Sequence, residues 1–275
     1  MPTFLQSKEL RGHVSCHPRP AVRSRFLAGE RHRCPKELTE RLWRALTSWD
    51  QAVMVLVWMA KGDTFAQLAA HFGVATDTAW RYVNEGLDAL APLAPTLEEA
   101  LAASGEERRL LLDGTLIPTC CCAAVATEVN PDPLYSGKHR DHGMNVQALT
   151  TPEGELIFLG QARPGSTHDL SAARADGIVD AVTAAGVETT ADSGYQGASG
   201  TVRTPIKRPN GKGHNGWEKH ANSALARLRA ALEHPFAALK RWRALDRLRI
   251  SPNRTTTAIH AIFAVTRQRS SLARG

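Results

Sequence analysis

From Pro35 to the prolines at Pro92 and Pro95 apolar residues recur at three- and four-residue steps. They then give way to short continuous runs, so the pattern predicts a helical unit followed by one built on strands. From Pro35, which suits a first helical turn, Leu38, Leu42, Trp43, Leu46 and Trp49 mark one helical face. Val53, Leu56, Val57 and Ala60 mark a second helix over Asp50 to Lys61. Thr64 followed by Gln67 reads as a capping box, Gly73 permits a tight turn, and Thr76 can cap another helix. In this helix-turn-helix pattern Leu68, Ala69, Val74, Ala79 and Val83 pack the junction. Asp77, Thr78, Trp80, Arg81 and Asn84 are left outward, as on a helix that enters the major groove of DNA. The same pattern also fits any compact helical pair.

Pro92 and Pro95 close the helical unit, and 96–108 reads as a short helix with a polar break, a linker. Arg109 to Ile117 has the length and apolarity of a strand. Tyr135 to Gly143 is a basic loop, and Asn145 to Thr150 and Glu155 to Ala162 are two strands joined by a turn at Thr151 to Gly154. A helix is expected from Ser166 or Thr167 through Ala181, and a strand over Val187 to Ala191. After a Gly- and Lys-rich loop, a long helix is expected from Asn222 to Arg243. This order is that of an α/β domain, a mixed sheet covered by helices. The expected organisation is a basic, poorly ordered arm over 1–34, a small all-α helix-turn-helix domain over 35–95, the linker, and an α/β domain over 109–275.

A formal charge of +7 and a pI near 9.4 point to a polyanionic partner, most economically nucleic acid. The chain has no apolar run long enough for a spanning helix and no apolar segment typical of a secretory signal near Met1, so a cytoplasmic, nucleoid-associated protein without membrane contact is expected. The five cysteines, three of them consecutive at Cys120 to Cys122, fit neither a disulfide framework nor a zinc pattern and read as free thiols.

Asp113 and Asp192 each end an apolar strand. If those strands are neighbours, both carboxylates emerge at one edge of the sheet, where open α/β sheets bind ligands and where hard divalent cations would relieve their repulsion. On the predicted long helix Arg229, Glu233 and Lys240 fall within roughly 40° of one another beside the stripe Leu225, Leu228, Leu232, Phe236 and Leu239. Glu233 then stands at the rim of the buried face, although Arg229 and Glu233 also fit a plain surface pair, and Pro235 kinks such a helix. Asp169 starts a helix, where an acid also serves as a cap or dipole partner. Lys138, His139, Arg140 and His142 read as a DNA-facing basic loop.

Asp113-Gly114-Thr115, the segment Pro164 to Asp169, Asp192-Ser193-Gly194-Tyr195 and the Arg229, Glu233, Lys240 spacing follow one another, behind the helix-turn-helix pattern, in the order seen in DDE-type transposases of bacterial insertion sequences and their Harbinger-like relatives. The resemblance covers about Pro35 to Arg267. It implies an RNase H-like catalytic domain in which Asp113, Asp192 and Glu233 bind two divalent ions, Mg²⁺ or Mn²⁺. The implied reaction is hydrolysis of phosphodiesters at transposon ends, followed by 3′-hydroxyl strand transfer into target DNA. The implied partners are double-stranded DNA, as terminal inverted repeats and target, and further copies of the chain assembled on it. Asp169 competes for the place of the second acid and remains a possible metal ligand; the strand-end context of Asp192 matches the family better. Thr78, Trp80, Arg81, Asn84, Lys138, Arg140, Arg229 and Lys240 are the implied DNA contacts. The cysteine triplet and His234-Pro235 depart from the family pattern, but neither removes a carboxylate, so an active enzyme is expected. The alternative is a non-catalytic DNA-binding regulator derived from a transposase.

Overall fold

The computed structural model describes residues 44–104, 109–120, 130, 132–207, 215–229 and 233–274, with the backbone alone at 228, 229, 233–235, 273 and 274. The expected arm over 1–34 and the apolar face from Pro35 to Trp43 lie outside the described residues, as do Cys121 and Cys122. Helix α1, Ser48–Lys61, starts where the Thr47 hydroxyl accepts the Asp50 N–H, and it stops at Gly62 with φ 65°. Helix α2, Phe65–Phe72, carries both halves of the predicted Thr64/Gln67 capping box and ends at Gly73, also left-handed at φ 65°. Helix α3, Thr76–Leu90, departs from expectation at its start: Ala75 occupies the cap position and Thr76 is already helical. Leu68, Ala69, Ala79 and Val83 are buried where the helices meet, as their spacing required.

Asn84 also differs from expectation. It is buried, its amide donates to the Trp80 carbonyl (2.8 Å), and its Oδ1 accepts from Arg254 Nε (3.1 Å). Arg254 in addition pairs with Asp88 at 2.8 Å. A second packing partner thus covers the flank of α3 that carries Asn84, so this residue ties α3 to the C-terminal part of the chain instead of facing outward.

Helix α4, Leu97–Ala103, opens with another capping box, Thr96/Glu99. The sheet follows: β1 Arg109–Pro118, β2 Tyr135–Ser136, β3 Asp141–Thr150, β4 Leu156–Leu159, β5 Arg163–Pro164, β6 Glu188–Ala191 and β7 Val202–Arg203. Its order is β2-β3-β1-β6-β7, with β4 and β5 also on β3. β1 runs antiparallel to β3 and parallel to β6, and β6 runs parallel to β7, so the sheet is mixed. The helix expected from Ser166 through Ala181 is two helices, α5 Asp169–Ala175 and α6 Ile178–Ala184, because Gly177 turns left-handed (φ 71°) between them. Of the expected long helix from Asn222 to Arg243, the described residues hold α7, Gly216–Arg229, and α8, Glu233–Lys240, with 230–232 outside the described residues; of the expected stripe, Leu239 is buried. Helix α9, Thr255–Arg274, closes the chain.

Strand alternation divides the sheet into two apolar faces. Ile117, Val146, Ala148 and Leu159 join one core with Met54, Trp58, Leu87 and, from α9, Ile259, Ile262 and Phe263. Leu110, Leu112, Leu149 and Phe158 join another with Leu170, Ala173, Ile178 and Val182 of α5 and α6. The helix-turn-helix therefore shares its core with the sheet and with α9, and residues 46–275 make up one compact unit.

Arg163 on β5 hydrogen-bonds the Asp176 carboxylate, whose side chain is 3% exposed. Burial pushes the Asp176 carboxyl above its ordinary value, outweighing the hydrogen bond and charge of Arg163, a backbone donor and the His260 charge. Arg163→Met would leave that carboxylate buried without its cation and is expected to cost about 3–5 kcal/mol by chemical denaturation at neutral pH. A carboxyl with a raised folded pKa contributes stability in full below its unfolded pKa and loses it as pH rises through the folded one. The variant's deficit should accordingly shrink as pH falls toward about 4.

Candidate active site

The pairing of β1 with β6 sets the geometry. Leu112 is registered against Ala191 on the adjacent parallel strand, so Asp113 and Asp192 each stand one residue beyond that pair. Asp192 follows the end of β6 as expected, but Asp113 does not end its strand, because β1 continues to Pro118 in its pairing with β3. Beyond β6 the chain turns through a short 3₁₀ segment, Ser193–Tyr195, capped by Asp192. The two oxygens of Asp192 divide the work: Oδ1 accepts the Gly194 N–H at 2.7 Å, and Oδ2 lies 3.7 Å from Lys138 Nζ. Gly194 is required here, since a Cβ would fall 2.8 Å from Asp192 Oδ1 and 2.9 Å from Asp169 Oδ2.

Asp169 belongs to the same cluster. It is the first residue of α5 and buried; its Oδ2 accepts from Lys138 Nζ (2.8 Å) and its Oδ1 from Asn145 Nδ2 (2.8 Å). A buried polar chain continues from Asn145 to Gln147 (3.1 Å) and from Gln147 to the hydroxyl of the fully buried Tyr195. Burial disfavours the Asp169 carboxylate, but the hydrogen bonds from Lys138, Asn145 and Gln147 and the Lys138 charge win, holding it below the ordinary range. Burial likewise pulls Lys138 down; the hydrogen bond to Asp169 and the charges of Asp169, Asp192 and Asp113 raise it above its ordinary value. All three aspartates thus act on one ammonium. Sequence reasoning gave Asn145, Gln147 and Tyr195 no role, although two amides two residues apart in an otherwise apolar strand signal a shared polar face.

The other expected residues are distributed as follows. Arg229 lies in α7 and Glu233 in α8, on either side of residues that are not described, and the roles expected of their side chains lie outside the described residues. Partial burial and the Lys138 charge hold His139 below its ordinary value against the pull of Asp169, with a smaller contribution from the charge of Lys240, which is exposed at the end of α8. Lys138, His139 and Lys240 therefore lie within electrostatic reach of one another. Arg140 is exposed in the same turn with φ 54°. On α3, Trp80 is 52% exposed and Thr78 and Arg81 are half-buried, while Asn84 faces inward.

Among the described residues, no three carboxylate, histidine or cysteine side chains are already arranged to hold a metal ion. The donor chemistry nonetheless suits one: hard carboxylate oxygens of Asp169 and Asp192 already lie 2.8 and 3.7 Å from a cation, the Lys138 ammonium, on which Asp113 also acts through its charge.

Residues 112–267, more than half of the chain, match the family described as DDE superfamily endonuclease. The chain belongs to this family. Residues 44–96, ahead of that region in the chain, match the helix-turn-helix of DDE superfamily endonuclease. The sheet with its flanking helices is the α/β, RNase H-like fold of these endonucleases, preceded by the helix-turn-helix. Among curated relatives, the chain is 29% identical over 203 residues, 73% of its length and 72% of the relative's, to "Putative transposase for insertion sequence element IS112" of Streptomyces albus G. It is 25% identical over 199 residues, 70% and 69% of the two chains, to "Probable transposase for insertion sequence element IS702" of Microchaete diplosiphon. No helix among the described residues of this family member is long and apolar enough to cross a membrane.

Proposed function

We propose that this DDE endonuclease is an insertion-sequence transposase that cuts phosphodiesters at the element's ends and joins the freed 3′-hydroxyl to target DNA. The observation that carries the reading is the placement of Asp113 and Asp192 one residue beyond a registered pair on adjacent parallel strands, with their charges acting on one cation. Asp113, Asp192 and Glu233 are the residues assigned to hold two divalent ions, Mg²⁺ or Mn²⁺, with Asp169 beside them. When bound, such ions supply Lewis acidity and lower the pKa of the attacking oxygen.

The chain's own residues do the rest. The Gly194 N–H and the amides of Asn145 and Gln147 fix the orientation of the Asp192 and Asp169 carboxylates, so little reorganisation remains at the moment of reaction. Lys138, Arg140, Arg229 and Lys240 are assigned to phosphates near the cut, and Thr78, Trp80 and Arg81 to the duplex docked on α3. Residues 35–95 are assigned to docking and 109–275 to chemistry, behind an arm over 1–34 and joined by 96–108. Assembly of several copies on the paired ends belongs to the same reading.

The test incubates the purified full-length chain with DNA carrying the element's ends. Strand-specific nicks at the ends and joined products are expected with Mn²⁺ or Mg²⁺ and none with chelator. Salt-sensitive binding without nicking under any metal would instead identify a regulator.

A further inference from the structure

We propose that the Lys138 ammonium is a resident counter-ion, closing the carboxylate cluster in the metal-free protein and leaving it when divalent ions load. The inference rests on the metal-site reading above and adds a competitor built into the chain. Lys138 Nζ lies 2.8 Å from Asp169 Oδ2 and 3.7 Å from Asp192 Oδ2, and Asp113 adds its charge. Divalent ions at these carboxylates would need the same oxygen lone pairs and would repel the ammonium.

Of the three groups, the lysine is the one built to move. Its side chain is 49% exposed, whereas those of Asp169 and Asp192 are 9% and 13% exposed. Asp192 is pinned by the Gly194 N–H, and Asp169 by Asn145, which also donates to the Thr167 carbonyl. Lys138 has no such anchor in its hydrogen bonds: its partner is Asp169, and it rises from the turn between β2 and β3.

Displacement has a direction. His139 and Arg140 are exposed in the same turn, and Lys240 is near enough to depress the His139 pKa. A released Lys138 joins this positive rim, where a DNA phosphate is the fitting partner. Metal loading at the carboxylates then hands a cation to the DNA, so metal and DNA each strengthen the other's binding.

The experiment measures Mn²⁺ affinity of the full-length protein by calorimetry for wild type, Lys138→Met, Lys138→Arg and Asp192→Asn. Lys138→Met is expected to bind Mn²⁺ about 10-fold more tightly than wild type, within the usual range of coupling between sites. Lys138→Arg, which keeps the charge, should stay close to wild type, and Asp192→Asn should lose Mn²⁺ binding. Unchanged or weaker affinity in Lys138→Met, with Asp192→Asn impaired, overturns the counter-ion role and leaves the metal site standing. Undiminished Mn²⁺ binding in Asp192→Asn overturns the metal site itself and the inference with it. Wild-type protein gives a second readout free of folding effects. Mass spectrometry after amine-reactive labelling should show Lys138 modified several-fold faster with Mn²⁺ than without, while equal or slower labelling contradicts the proposal.

Discussion

Asp192→Asn is expected to reduce metal-dependent cleavage by ~10³-fold or more while leaving the fold and DNA binding in chelator intact. The substitution is close to isosteric. Its amide oxygen can still accept the Gly194 N–H that shapes the turn after β6, so the backbone has no reason to move. What disappears is the negative charge on the oxygen that faces Lys138. A neutral amide is a poor partner for a hard divalent cation, and the activated attacking oxygen depends on that cation. Nicking rates on end-bearing DNA, mobility shifts at matched ionic strength and thermal unfolding would be measured together. Cleavage within about 3-fold of wild type, on a scale where a tenfold change is 1.36 kcal/mol, would remove Asp192 from the site.

Gly114→Ala is expected to damage the same site from beneath. A Cβ at this position would fall 2.7 Å from Asp169 Oδ1, 2.9 Å from Gln147 Nε2 and 3.2 Å from Asn145 Oδ1. None of the three is a free end that can step aside, because they are bonded to one another and to Tyr195 in a buried chain. Overpacking of this kind costs about 1–3 kcal/mol. Displacing the groups that orient a functional carboxylate is expected to lower cleavage by a further ~10–100-fold. The Gly in Asp113-Gly114-Thr115 is thus explained by steric room over Asp169. Gly216→Ala is the matched control: among the described residues a Cβ there meets nothing within 4 Å, and its stability should stay within about 0.5 kcal/mol of wild type. Wild-type stability and cleavage in Gly114→Ala would show that the polar chain does not position the site.

Much of this was written locally. The capping box at Thr64, the turn at Gly73 and the strand that ends just before Asp192 follow from residue preferences over a few positions, and each is found where the pattern put it. Asp113, expected at a strand end, instead lies inside β1, which runs on to Pro118 because it pairs with β3 along that length. Membership in the DDE endonucleases was likewise legible, because it is carried by short motifs in a fixed order.

Other features depended on which distant segments meet. Asn84 has an outward-looking place in its helical pattern, yet Arg254, 170 residues away, covers it. A continuous helical pattern through 166–181 gave no warning that Gly177 would break it. Asp169 looked like the opening residue of a helix, with a cap as its ordinary use. Only the packing of α5 against β3 brings it to Asn145, and only the turn between β2 and β3 brings it Lys138. The sequence by itself determined periodicity, caps and the identity of the acids, since these are set by backbone sterics and neighbours in the chain. Tertiary structure decided which polar groups share one buried site, because pairing strands and burying their faces leaves each carboxylate with whatever partner the rest of the fold can deliver.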